Sequence, residues 1–160
     1  TRIGSHTLLM AGSHVGHNCK VADRVILTNG ALLAGHVTVQ ERAILSGNCL
    51  VHQFVRVGTL ALMQGGSAIS KDLPPYTIAC GANTLCGLNV VGLRRAGYTA
   101  EQRTGLKRLY RLLFRSGLRL GEALDRARHE FTSSEALVLI DFAAAARRGL
   151  CADRGAAGIT

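Results

Sequence analysis

The first half of the chain repeats with a period of six. Stepping by six from Ile3, the positions read Leu9, Val15, Val21, Leu27, Leu33, Val39, Leu45, Val51, Val57, Met63 and Ile69, twelve apolar side chains without a break. The position four further on is mostly small or β-branched, as at Thr7, Ser13, Cys19, Val25, Ala31 and Val37. Gly or Ala often follows the aliphatic, as at Gly4, Gly16, Ala22, Ala34 and Gly58. Such a period fits neither a 3.6-residue helix nor a simple hairpin sheet. It predicts a β-solenoid in which six residues make one flat face and a corner. Three faces close one coil, and the aliphatics of successive coils stack inside. Twelve hexads give about four coils.

The second half changes period. The repeat stops at Asp72-Leu73-Pro74-Pro75-Tyr76, where two prolines unable to donate to a ladder are expected to end it. A connecting loop is expected over 74–97. Thr99-Ala100-Glu101-Gln102 then reads as a capping box, and Leu106, Leu109, Tyr110, Leu113 and Phe114 recur on one helical face. Gly117 stands where a helix would end. A second helix is expected to carry Leu120, Leu124, Ala127 and Phe131. A third is expected to be capped by Ser133 or Ser134, to carry Leu137, Ile140 and Ala144, and to end at Gly149. The expected division is a repeat domain over 1–73, the loop, a helical domain over 98–150 and a frayed tail over 151–160. The chain opens inside a hexad without Met, so the repeat is expected to be truncated at its N-terminus, leaving an unpaired edge on the first coil.

Composition narrows the class. The 160 residues are rich in aliphatics, with 19 Gly, two Pro and no Trp, which excludes a disordered tail and a collagen. No apolar stretch approaches the roughly 18 residues of a membrane span, and no signal-peptide layout is present. Five Cys at irregular spacing, with no C-x-x-C pair, read as buried thiols in a reducing compartment, with the cytoplasm as the expected location. The net charge is +9. Between Arg94 and Arg119 eight basic residues face Glu101 alone. Such a stripe attracts an anionic partner. Nucleic acid is disfavoured because no stacking aromatics interleave with the charges. A phosphate-bearing small molecule and an acidic carrier protein fit equally well.

Five of six histidines lie in the repeat. His17, His36 and His52 are spaced 19 and 16 apart, close to one 18-residue coil, so they are expected near one column. None takes an inward position. A histidine is the usual general base near neutral pH. A histidine column can also bind metal, as in β-helical carbonic anhydrases, but two histidines five apart, part of that pattern, are missing here.

The segments His14-Val15-Gly16-His17-Asn18-Cys19, Ala34-Gly35-His36-Val37, His52-Gln53-Phe54, Pro74-Pro75-Tyr76 and Asn89-Val90-Val91-Gly92-Leu93-Arg94-Arg95 together resemble the C-terminal part of the UDP-N-acetylglucosamine O-acyltransferase family, which begins lipid A synthesis. The resemblance covers residues 1 to about 150. It implies a left-handed parallel β-helix followed by a C-terminal α-helical domain. It implies transfer of a 3-hydroxyacyl group from acyl carrier protein to the sugar 3-hydroxyl in a homotrimer, with no cofactor, no metal and no membrane insertion. It places the catalytic base at His17 and an oxyanion-binding N–H at Gly35. His14, His36, His52, Gln53, Asn89 and Arg95 fall at substrate-binding positions, and Gly65 at the position that measures acyl length. The family commonly has Asp where this chain has Asn18, an acidic residue at Val91 and a second arginine at Ala96. Two other readings stand beside it: a non-catalytic scaffold whose basic helices bind a partner, and a metal-dependent β-helical hydratase.

Overall fold

The computed structural model describes residues 1–155. Twelve two-residue strands follow the repeat: β1 (Arg2–Ile3), β2 (Leu8–Leu9), β3 (His14–Val15), β4 (Lys20–Val21), β5 (Ile26–Leu27), β6 (Leu32–Leu33), β7 (Thr38–Val39), β8 (Ile44–Leu45), β9 (Leu50–Val51), β10 (Arg56–Val57), β11 (Leu62–Met63) and β12 (Ala68–Ile69). The second residue of each strand is the aliphatic of the sequence repeat. Parallel pairing joins every third strand with a register of one coil, as Arg2 pairs with Lys20 and Ile3 with Val21. Three flat faces result: β1-β4-β7-β10, β2-β5-β8-β11 and β3-β6-β9-β12. From Val21 to Ile69 the stacked aliphatics are buried, and so are the residues four places on, from Cys19 to Leu73. The first coil is open, with Ile3 and Leu9 each 43% exposed.

The corners explain why the repeat is six. Every sixth residue from His6 to Gly66 has φ between 55° and 73°. That left-handed conformation turns the chain sharply, and it costs a residue with a Cβ about 1 kcal/mol. Gly12, Gly30 and Gly66 avoid the cost, and Asn18 and Asn48 reduce it. His36, Phe54 and Leu60 bear it. The N–H of the corner residue donates one coil back, as His36 does to the His17 carbonyl at 2.8 Å and Phe54 to Gly35 at 3.2 Å. These bonds carry the ladder through each turn.

The two prolines do not end the solenoid as expected. Strand N–H groups donate toward the next coil, as Gly58 does to the Leu73 carbonyl at 2.8 Å. Pro74 and Pro75 sit in the last turn of the first face, where the missing donor costs nothing. Gly58 admits Pro75, because a Cβ at residue 58 would lie 2.3 Å from the proline nitrogen. The expected 74–97 loop is instead ordered structure. Strand β13 (Thr77–Cys80) extends the second face beyond β11, and β14 (Thr84–Leu88) returns antiparallel with a bulge. A short helix, α1 (Val90–Arg95), follows. Cys80 and Cys86 form a disulfide across this hairpin, which corrects the expectation of five free thiols. Cys19, Cys49 and Cys151 are free and buried.

Helices α2 (Ala100–Arg115), α3 (Leu120–Glu130) and α4 (Ser134–Ala144) pack on one another and on the last coil. The Thr99–Gln102 capping box is present, Gly117 ends α2 with φ 78°, and Ser133 precedes α4. The third helix ends at Ala144, not Gly149. Leu106, Leu109, Leu113, Leu139 and Ile140 form a second core with Leu60 and Tyr76 of the solenoid. The tail expected to fray is held over 151–155. Cys151 is buried, its N–H donates to the Asp72 carbonyl at 2.9 Å, and β15 (Ala152–Asp153) pairs with β14. The rest of that tail, 156–160, lies outside the described residues.

Two clamps lock the halves together. Asp72, 1% exposed, takes the Arg56 guanidinium at 2.7 Å and the Arg56 N–H at 2.8 Å. Arg56 also reaches the Phe142 carbonyl in α4 and lies over that residue's ring. Asp153 accepts from the Tyr110 hydroxyl at 2.6 Å and from Arg115 at 2.7 Å. Burial opposes the Asp153 charge, but these donors and the Gly155 N–H outweigh it, and the carboxyl sits below its usual range.

Candidate active site

The candidate residues gather at the corner after the third face. His17 lies in the turn after β3, with its Nδ1 3.0 Å from Asn18 Oδ1. An amide oxygen can only accept, so this contact puts the proton on Nδ1 and leaves the Nε2 lone pair free. Nε2 lies over Gly35, one coil above. A Cβ built on Gly35 would fall 2.5 Å from it, so only glycine lets the ring lie there.

Gly35 also offers a donor. At equivalent turn positions, the Ser5 N–H is taken by Asp23 at 2.7 Å and the Thr59 N–H by Gln40 at 3.0 Å. No such acceptor is supplied to the Gly35 N–H among the described residues. An imidazole nitrogen able to accept a proton and an N–H able to donate to an anion thus belong to touching residues.

The three histidines do not form one column. His36 stands in the Asn18 column and touches His17 edge-on, with centroids 5.1 Å apart. His52 lies two residues short of that column and meets Arg148, whose Nη2 is 3.4 Å from His52 Nδ1. The coil period is 18, and the two-residue shift moves His52 onto the third face. There it joins His14 at the rim of a groove of about 480 Å³, whose floor includes Leu32, Ala34, Leu50 and Ala68. Gln53 is exposed in the His17 column, and its carbonyl is 3.3 Å from His52 Nδ1. Gly65 lies at the opposite border of this face, above Gly47, with no side chain within 4 Å of the place a Cβ would take.

Asn89 and Arg95 are elsewhere. They line a second groove of about 500 Å³ on the second face, with Arg24 and Arg42. The Asn89 side chain is spent inside the protein. Its Oδ1 caps α1 through the Gly92 N–H at 3.0 Å, and its Nδ2 donates to the Leu60 carbonyl at 2.9 Å. Its expected substrate contact is therefore left to its neighbours, Arg95 first among them.

Two of the free thiols are held protonated. Burial raises the Cys49 thiol, and burial with the nearby Asp72 pushes Cys151 up to about 12, so both stay protonated. Among the described residues no three His, Cys, Asp or Glu side chains converge as metal ligands. Among the described residues no helix is long and apolar enough to cross a membrane. Sequence reasoning missed Arg148 and the ring of Phe54, stacked on His36 at 4.7 Å. Phe54 was legible as a motif residue, but nothing in the sequence ties Arg148 to a histidine 96 positions away.

The chain is similar to known proteins along most of its length. Residues 72–151 match the family described as Udp N-acetylglucosamine O-acyltransferase, domain 2. Residues 1–35 match the bacterial transferase hexapeptide repeat. The acyl-[acyl-carrier-protein]–UDP-N-acetylglucosamine O-acyltransferase of Syntrophobacter fumaroxidans is 48% identical over 153 residues, 94% of this chain and 59% of that protein. The protein of the same name from Thiobacillus denitrificans is 43% identical over 152 residues, again 94% and 59% of the two chains. The solved UDP-N-acetylglucosamine acyltransferase of Francisella novicida superposes with a TM-score of 0.92 at 36% identity, over 99% of this chain and 59% of that one. The Arabidopsis enzyme superposes with a TM-score of 0.89 at 35% identity, over 93% and 56%. The chain thus spans about 59% of the length of the curated relatives it matches.

Proposed function

The chain belongs to the UDP-N-acetylglucosamine O-acyltransferase family, and on that premise we propose that it carries the acyl-transfer centre of an enzyme that moves a 3-hydroxyacyl chain from acyl carrier protein to the 3-hydroxyl of UDP-N-acetylglucosamine, the first step of lipid A synthesis. The observation that carries the reading is the His17 Nε2 packed against Gly35, a residue whose N–H has no acceptor among the described residues. The sugar 3-hydroxyl oxygen attacks the thioester carbonyl as Nε2 takes its proton. The developing oxyanion is met by the Gly35 N–H, a donor that needs no rearrangement. The carbon–sulfur bond then breaks, and His17 returns the proton to the leaving thiolate. Asn18 orients the imidazole as an aspartate would, but without a charge to offset the imidazolium.

The third-face groove suits the acyl chain. Its floor is aliphatic, His14 and His52 stand at its rim, and Gly65 leaves its far border open. His36 and Gln53 flank the base and hold the acceptor sugar. Arg95 faces the nucleotide phosphates from the second groove, for which a guanidinium fork is suited. The two grooves open on different faces of one chain, so a homotrimer that sets the second face of one copy beside the third face of the next would complete the site. The basic stripe from Arg94 to Arg119 receives the acidic acyl carrier protein, in the cytoplasm.

The test is an acyl-transfer assay with 3-hydroxyacyl carrier protein and UDP-N-acetylglucosamine on this chain and its His17→Ala variant. Loss of a general base costs roughly 10²–10⁴ in rate, so H17A is expected to lose at least a hundredfold. Equal turnover in the two chains, or none in either, would overturn the assignment.

A further inference from the structure

Phe54 is a costly choice for its place. It is 52% exposed and sits in a left-handed corner with φ 64°, a conformation that favours Asn or Gly over an aromatic ring. What it does there is stack. Its ring lies 4.7 Å from that of His36, with 20° between the planes, and His36 stands perpendicular to His17 at 5.1 Å. Phe54, His36 and His17 come from three successive coils, and each step is tied by a corner hydrogen bond: Phe54 N–H to the Gly35 carbonyl, and His36 N–H to the His17 carbonyl. The backbone fixes where the three rings start, and ring contact fixes how they lie.

We propose that Phe54 is a positioning residue: by stacking on His36 it sets the orientation of that ring, and through it the orientation of the His17 imidazole over Gly35. This rests on the acyl-transfer reading only for its consequence in turnover. The ladder itself is a property of the rings. Asn18 constrains His17 within its own turn, and His36 constrains it from the coil above. Without the Phe54 ring the exposed His36 is free to change rotamer, and His17 loses one of its two supports. A misplacement of about 1 Å can cost about 100-fold in rate. The loss of one of two supports is expected to cost less, about tenfold.

The experiment compares the 160-residue chain with Phe54→Leu, which keeps apolar bulk but no ring, and Phe54→Tyr, which keeps the ring. Isotope-labelled histidine side chains are followed by NMR, and acyl transfer is measured on the same samples. In F54L the ring signals of His36 and His17 are expected to move while those of His6 and His129 stay. The kcat is expected to fall about tenfold with KM for the sugar nucleotide changed less than twofold, and F54Y to recover most of the loss. Unmoved His17 signals in F54L would overturn the proposal, and so would a raised KM at unchanged kcat, which marks a binding wall. If the parent chain turns nothing over while the His17 signals still move in F54L, the acyl-transfer reading fails and the ladder stands.

Discussion

Gly35 shows how a single residue can be required by its neighbour and not by its own backbone. Its φ is not in the left-handed region, so alanine is conformationally allowed, but the added methyl would lie 2.5 Å from His17 Nε2 and 2.6 Å from Cε1. The obstacle is the far end of a flexible side chain, so the ring yields and the coil does not. Gly35→Ala is therefore expected to leave stability within about 0.5 kcal/mol, roughly 2 °C in melting temperature, and to cut turnover by about a hundredfold. A thermal melt and a turnover assay on one sample check both, and unchanged turnover would remove the steric requirement. At this scale the sequence was uneven evidence. That His17 and Gly35 touch follows from local chain geometry, because they stand one coil apart in short motifs. Asn89 was misleading, since its type fits a substrate contact while its atoms cap α1 and bind the Leu60 carbonyl. Arg148 was illegible because the path of the whole helical domain is what brings it to its partner, His52 of the solenoid.

Between elements, Arg56 ties solenoid to helices: its guanidinium is paired with Asp72 inside the solenoid and reaches the Phe142 carbonyl and ring in α4. Removing one partner of a buried pair strands the other. Arg56→Leu is expected to cost about 3 kcal/mol, with a fall in melting temperature on the order of 10 °C. Arg56→Leu combined with Asp72→Asn is expected to be less damaged than Arg56→Leu alone. Denaturant melts of the parent, Arg56→Leu, Asp72→Asn and the double variant settle this, and additive losses would mean the pair is not coupled. The Asp153 clamp predicts a pH effect of defined sign. Its carboxyl is held below the ordinary 3.8, so its contribution is complete above that value and fades as pH falls through the lowered one. Asp153→Asn is expected to destabilise at pH 7, and to differ less from the parent near pH 2. Denaturant melts at both values test it, and a gap that widens in acid would contradict the assignment. The twelve short strands were legible because one strong period repeats twelve times. The β13–β14 hairpin and α1 were not. The hairpin is brief and interrupted by glycine, and α1 has six residues, fewer than a helix needs to form without tertiary support.

Over the whole molecule, the charge of +9 is concentrated beyond the solenoid. If the basic helices receive an acidic carrier protein, attraction at that surface acts over the Debye length. Raising salt from about 50 to about 500 mM shortens it from roughly 14 to roughly 4 Å. KM for the acyl carrier is expected to rise at least severalfold and that for the sugar nucleotide to rise less, and an unchanged carrier KM would remove the helices as its docking surface. The eighteen-residue register between coils has a further consequence for how such a chain can vary over generations. Every corner is counted from the previous one, so the solenoid has a spatial reading frame. An insertion or deletion of one residue on a flat face shifts all later inward positions outward and carries His36 and Phe54 out of line with His17. Gain or loss of an entire coil preserves the phase, and so does a bulge that leaves and returns at one corner. Length variation among natural homologues should therefore come in whole coils or in corner excursions, and single-residue changes should be confined to the helices, where no frame is kept.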